Sequence, residues 1–126
     1  MGIWIIMLIS CLLLPVMMLG IGSHFAKNPP PEINPILGYR TKRSMLNKET
    51  WDFAHRHCGK IWLLVGKVLL LFSCIAMLFV LGKDENLVRI YGAVISIIQI
   101  ITLLGSIIPT EVALKKIFDE NGNRIR

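Results

Sequence analysis

The sequence predicts an all-α integral membrane protein with three transmembrane helices, and three observations carry that reading. Hydrophobic residues form 54% of the chain and charged residues 17%, where a typical soluble domain has about a quarter charged. The apolar residues are gathered into long runs instead of being spread in short periodic stretches. Crossing about 30 Å of hydrocarbon as a helix takes about 20 apolar residues, and three segments reach that length. Lipid offers the backbone no hydrogen-bond partner, so each span is helical.

The first span covers about residues 3–22, and its core, Ile3–Ile21, carries no charge. Pro15 removes a helical hydrogen bond near its middle, which predicts a kink. No basic residue precedes the run, and 19 uncharged residues are long for a signal-peptide core, so it reads as a span and not as a cleaved leader. Position 6 is Ile6, which breaks the myristoylation pattern.

Residues 23–60 form a loop with an amphipathic helix in its second half. Pro29, Pro30, Pro31 and Pro35 favour an extended connector with turns. Gly38 is suited to a backbone angle that other residues resist. Asn47 is a good N-cap, and Glu49 follows in the first turn, where the helix dipole favours an acid. Trp51, Ala54, Cys58 and Trp62 then recur every three or four residues, giving one apolar stripe. Residues 48–60 therefore read as a helix lying on the membrane interface, bending at Gly59 or continuing into the next span. Trp51 and Trp62 suit the headgroup level.

The second span, about 61–81, contains one charge, Lys67. The third covers about 88–109 and is closed by Pro109. Thr110 is placed to cap a short helix, EVALKKIF, in the tail of residues 110–126, and Asn121-Gly122 marks a turn. No internal repeat is visible, and the chain reads as a single membrane domain, 1–126.

Loop charge gives an orientation. Lys27, Arg40, Lys42, Arg43, Lys48, Arg56 and Lys60 lie between the first two spans, and Lys115, Lys116, Arg124 and Arg126 in the tail. The second link has Lys83 and Arg89 beside Asp84 and Glu85. The positive-inside rule puts the first loop and tail in the cytoplasm, an N-out, C-in arrangement. The net charge of +6 is thus mostly orientation, with the lipid bilayer and its anionic phospholipid headgroups as the expected contacts. No nucleic-acid-binding module accompanies the charge, so nucleic acid is not an expected partner.

Chemistry-bearing residues are few. Arg40, Thr41, Lys42, Arg43 and Ser44 stand just ahead of a helix N-terminus, and guanidinium, ammonium, hydroxyl and backbone N–H donors all bind anions. The bland reading is a positive-inside patch with a structural cap. Lys67 is the one ionisable residue well inside a span, which points to function; alternatively its stem snorkels to the interface. His55, His57 and Cys58 do not share one helix face, so no metal site is expected. Cys11, Cys58 and Cys74 show no paired spacing and give no disulfide framework. Gln99, Ser96 and Thr102 suit interhelical hydrogen bonds, and Glu111 is a candidate partner for a first-loop arginine. No catalytic triad, phosphate loop or carboxylate pair stands out, so neither catalysis nor a cofactor is expected.

The stretch NPILGYRTKRSMLNKETWDFAHRHCGK resembles the signature of the SdpI family of small bacterial membrane proteins. The matching positions are Asn34, Gly38, Tyr39, Arg40, Thr41, Ser44, Asn47, Trp51, Ala54, Gly59 and Lys60. The resemblance implies a bacterial cytoplasmic-membrane protein of the immunity type, which protects a cell from a secreted killing peptide. It also implies a signalling role, holding a transcriptional repressor at the membrane when toxin is present. Longer members carry extra spans before this module, and this chain has one. The leading function is therefore immunity to a peptide toxin, with Arg40 as the main anion-binding residue. A scaffold docking a cytoplasmic regulator through the basic loop is the first alternative. A membrane enzyme or carrier using Lys67 and Glu49 is the second. A homo-oligomer is compatible with all three.

Overall fold

A computed structural model describes residues 2–33 and 38–125. Four helices follow in order: α1 Gly2–Lys27, α2 Lys48–Leu78, α3 Glu85–Gly105 and α4 Ile107–Ile117. α1, α2 and the α3–α4 pair are each long and apolar enough to cross a membrane, as the three hydrophobic runs require. Among the described residues the one β feature is an isolated bridge between Phe118 and Arg124.

The apolar stripe expected to lie on the membrane surface does not form a separate helix. α2 runs unbroken through Gly59, and Trp51, Ala54 and Cys58 are fully buried. The stripe faces the chain's own α1, connector and α4, which remove it from water and lipid alike. Trp51 is enclosed by the protein; its indole N–H donates to Pro30 O at 2.9 Å and pins the proline connector to α2. Trp62 spends its N–H on Ser106 Oγ, at 2.9 Å.

α1 and α2 pack antiparallel along their whole lengths, and small residues permit it. A Cβ on Gly59 would lie 2.5 Å from both Ala26 N and Gly22 O, and one on Gly22 2.9 Å from Gly59 O. Backbone against backbone leaves nothing to move aside, which is how helices approach closely in a membrane. Further along, Trp4 Nε1 donates to Met77 O at 2.8 Å. A cluster of Cys11, Met77, Val80, Val88 and Ile95 fills that end. Tyr39, Ala54, Cys58, Leu114 and Phe118 fill the other.

The two prolines inside spans are handled differently. Pro15 has no N–H to give the carbonyl four residues back, which is Cys11 O. Helix α1 nevertheless continues through Pro15, and Gln99 Nε2 of α3 donates to Cys11 O at 2.6 Å and to Ser73 Oγ of α2 at 2.8 Å. One amide thus joins three helices and satisfies the carbonyl that proline orphans. Thr102 does not share this interhelical role; its hydroxyl donates to Ile98 O in its own helix.

Pro109 orphans Gly105 O in the same way, and there the helix divides. The junction is Ser106, so Pro109 falls in the first turn of α4, where a missing N–H costs little. The helical interruption therefore lies at Gly105–Ser106, four residues before Pro109, inside the apolar stretch Glu85–Ile117. Thr110 is buried inside α4 and does not cap it.

Candidate functional site

The basic segment is organised by one buried histidine. Gly38 has φ +108°, and a Cβ there would strike His55 Nε2, so both conformation and space require glycine. The turn brings Tyr39 N–H to His55 Nε2 at 2.8 Å. Because Nε2 accepts, the ring's hydrogen sits on Nδ1, which donates to Trp51 O at 2.8 Å. His55 is fully buried, with Phe25 edge-on at 4.8 Å and Trp51 at 4.3 Å between ring centroids. It couples α1, the loop and α2.

Tyr39 is 7% exposed and its hydroxyl donates to Glu111 Oε1 at 2.7 Å. Burial first, and then the hydrogen bond and charge of Glu111, raise its pKa above the usual tyrosine value. Glu111, expected beside a loop arginine, thus takes the tyrosine instead. Next to it His57 Nδ1 lies 2.9 Å from Thr110 Oγ1, so side chains bond α4 both to α2 and to the loop ahead of it.

Beyond Tyr39 the chain makes a tight turn. Thr41 N–H donates to Ser44 Oγ at 2.9 Å and Ser44 N–H to Thr41 Oγ1 at 3.2 Å. The Ser44 hydroxyl reaches Tyr39 O and Thr41 O, each at 2.9 Å, and Ser44 is fully buried. Ser44 thus spends its hydroxyl inside the turn, and the Thr41 hydroxyl is largely committed to the same turn.

Asn47 caps α2 through a reciprocal box: its side chain accepts from Thr50 N at 2.9 Å, and Thr50 Oγ1 accepts from Asn47 N at 3.0 Å. This N-terminus is not open to an anion, because the C-terminal segment covers it. Asn47 Nδ2 donates to Gly122 O at 2.7 Å, and Arg124 Nε to Glu49 Oε1 at 2.6 Å. Gly122, at φ +83°, makes the turn that the Asn121-Gly122 pair predicts.

The five residues expected to share an anion site are thereby divided. Arg40 and Thr41 line a half-open cavity of about 930 Å³. It is lined by Gly20, Ile21, His24 and Phe25 of α1, Cys58 and Trp62 of α2, Leu103, Leu104 and Ile107 of the α3–α4 junction, and Pro30, Pro31, Gly38 and Tyr39 of the connector. Lys42 and Arg43 line a smaller, polar hollow shared with Glu111 and Glu120. Arg40 is exposed at the cavity mouth, and among the described residues no carboxylate pairs with it.

Lys67 is exposed on the outer face of α2 beside Leu64, Val68 and Leu71. That placement fits snorkelling, since functional intramembrane charges face the bundle interior. Lys60 is exposed and immediately precedes the apolar part of α2, which begins at Ile61. Asn34 and Pro35 lie outside the described residues. No three candidate metal ligands cluster among the described residues. Sequence reasoning missed His55 as an organiser because HRHC drew attention as potential ligands. Its position four residues after Trp51, on the apolar stripe, was the available signal.

Comparison with known proteins agrees with this picture of where the organisation lies. The family model of the SdpI/YfhL protein family matches residues 32–110, from the connector through the first turn of α4. The uncharacterized protein YfhL of Bacillus subtilis (strain 168) is 42% identical over 41 residues, 32% of this chain and 37% of that one. The match thus spans well under half of that relative's length. No solved structure matches. With the turn, the cap, His55 and the second and third spans all inside the matched region, the chain belongs to the SdpI/YfhL family.

Proposed function

We propose that this protein protects a bacterial cell from a secreted, membrane-active peptide, acting without catalysis in the cytoplasmic membrane. Family membership supports the class of function. The observation that carries the reading is the setting of Arg40. A guanidinium with no carboxylate partner among the described residues stands at the mouth of an apolar cavity, on a turn held by His55, Ser44 and Glu111. Such a charge is positioned by a turn whose supports His55 and Ser44 are fully buried, which is the arrangement of a recognition residue. In this reading the loop and tail face the cytoplasm and the N-terminus faces outward, as the basic residues require.

The test is survival of a sensitive bacterium expressing the full chain and challenged with a panel of secreted membrane-active peptides. At equal membrane abundance, Arg40→Ala abolishes protection. Normal protection by that variant removes Arg40 from the mechanism, and no protection by the parent chain against any peptide removes the immunity reading. Orientation is tested separately, by labelling single cysteines at positions 42 and 84 with a membrane-impermeant reagent on intact cells. Labelling at 84 and not at 42 is the expected result.

A further inference from the structure

We infer that the cavity beneath Arg40 holds one anionic glycerophospholipid, its phosphate on Arg40 and one acyl chain against Ile21, Leu103, Leu104 and Ile107. Three features point to a lipid. Much of the lining comes from α1 and the α3–α4 junction, both within helices long and apolar enough to cross a membrane, and the cavity is partly open. Leu104 at 62% and Ile21 at 36% exposure leave apolar surface open in these helices.

The helical part of the lining is apolar apart from His24, and Pro30, Pro31 and residues 38–41 of the connector complete it. Helical backbone groups are satisfied within their own helix, so the helical walls offer few of the main-chain donors and acceptors that bind an extended peptide. An acyl chain needs none. Finally, the charge is placed for a phosphate. Arg40 is exposed and lines the cavity, which His24 also lines. Among the described residues no acid neutralises it. A zwitterionic headgroup would bring its own cation against the guanidinium, so an anionic lipid is preferred.

Gly20 gives the inference a steric handle. It lines the cavity, and a Cβ there would have no atom within 4 Å. Gly20→Leu therefore fills the space of the chain while leaving Arg40 and the helix contacts intact.

The inference adds a ligand to the site on which the immunity proposal rests, and its test uses no toxin, so the two fail separately. The full chain is purified in detergent, depleted of lipid, and titrated with dioleoyl phosphatidylglycerol or dioleoyl phosphatidylcholine, with native mass spectrometry counting retained lipid. One phosphatidylglycerol per chain is expected, retained about tenfold better than phosphatidylcholine. Arg40→Ala removes that preference, Arg40→Lys keeps most of it, and Gly20→Leu lowers retention of both lipids about tenfold. Far-UV circular dichroism confirms that each variant is folded. Equal retention of the two lipids by the parent chain overturns the inference. So does undiminished retention by either Arg40→Ala or Gly20→Leu. If glycerol 3-phosphate displaces the lipid at equal concentration, the acyl chain contributes nothing and the cavity assignment fails. If the purified protein retains a protective peptide and no lipid, the cavity is a peptide site and the inference is wrong.

Discussion

Gln99 is the side chain whose loss should reveal how this bundle tolerates a proline in a span. Pro15 leaves Cys11 O without its helical donor, and Gln99 Nε2 supplies one at 2.6 Å from another helix. In Gln99→Leu the carbonyl stays buried, because Cys11 is fully enclosed, and no water reaches it. An unmade buried hydrogen bond costs about 1–3 kcal/mol. Measured interhelical bonds in membranes average about 0.6 kcal/mol and reach roughly 1.7. Loss of the second bond, to Ser73 Oγ, adds to the total whatever residue stands at 15. The informative quantity is therefore the coupling. In a Pro15→Ala background the new backbone N–H restores the helical bond to Cys11 O, and Gln99→Leu should cost about 1 kcal/mol less than in the parent. Unfolding by added SDS from mixed micelles, followed by far-UV circular dichroism, gives the four free energies. Equal costs in the two backgrounds, within about 0.3 kcal/mol, would refute the assignment of Gln99 to the proline-orphaned carbonyl.

Gly59→Ala should destabilise by about 1–3 kcal/mol, because its methyl meets Ala26 N and Gly22 O and backbone cannot repack. Gly20→Ala, with open space around it, should be neutral or stabilising by up to about 1 kcal/mol; the same titration separates the two. His55→Phe keeps the ring's volume but strands Tyr39 N–H, and a loss of about 1–3 kcal/mol is expected. The Tyr39 hydroxyl gives a pH dependence. Its pKa is raised in the folded protein, so folding favours the neutral phenol. That contribution is fully present below about pH 10, the ordinary tyrosine value, and is lost as pH rises above it. Tyr39→Phe should flatten that part of the stability profile above about pH 10, as read by the same unfolding titration.

The helices were legible because length and hydropathy are properties of contiguous residues. Three apolar runs became three spans, and Asn47 announced its cap through residues three positions away. Long-range partners were not legible. Whether the stripe of Trp51, Ala54 and Cys58 meets lipid or protein depends on α4 and α1, which lie far off in sequence. Glu111 chose Tyr39 over an arginine because the His55-bonded turn delivers the ring, and no local spacing encodes that. Proline effects fell between these cases. The lost hydrogen bond at Pro15 was predictable, but its repair by Gln99 was not. The break at Pro109 appeared four residues earlier, at the carbonyl it orphans, which the chemistry of proline does anticipate. For the site, the residue types around Arg40 were visible as a cluster. Their division between an apolar cavity, a closed turn and a second hollow required the fold.

The central claim is that a rigid, buried support presents Arg40 at the cavity mouth, and that the presented charge is what protects the cell. It is tested most directly by measuring, in one strain and at matched membrane abundance, both peptide survival and unfolding free energy for Arg40→Ala and His55→Phe. Arg40→Ala should lose protection with stability within about 0.5 kcal/mol of the parent, and His55→Phe should lose both although it leaves Arg40 in the chain. Full protection by Arg40→Ala, or full protection by a destabilised His55→Phe, would contradict it.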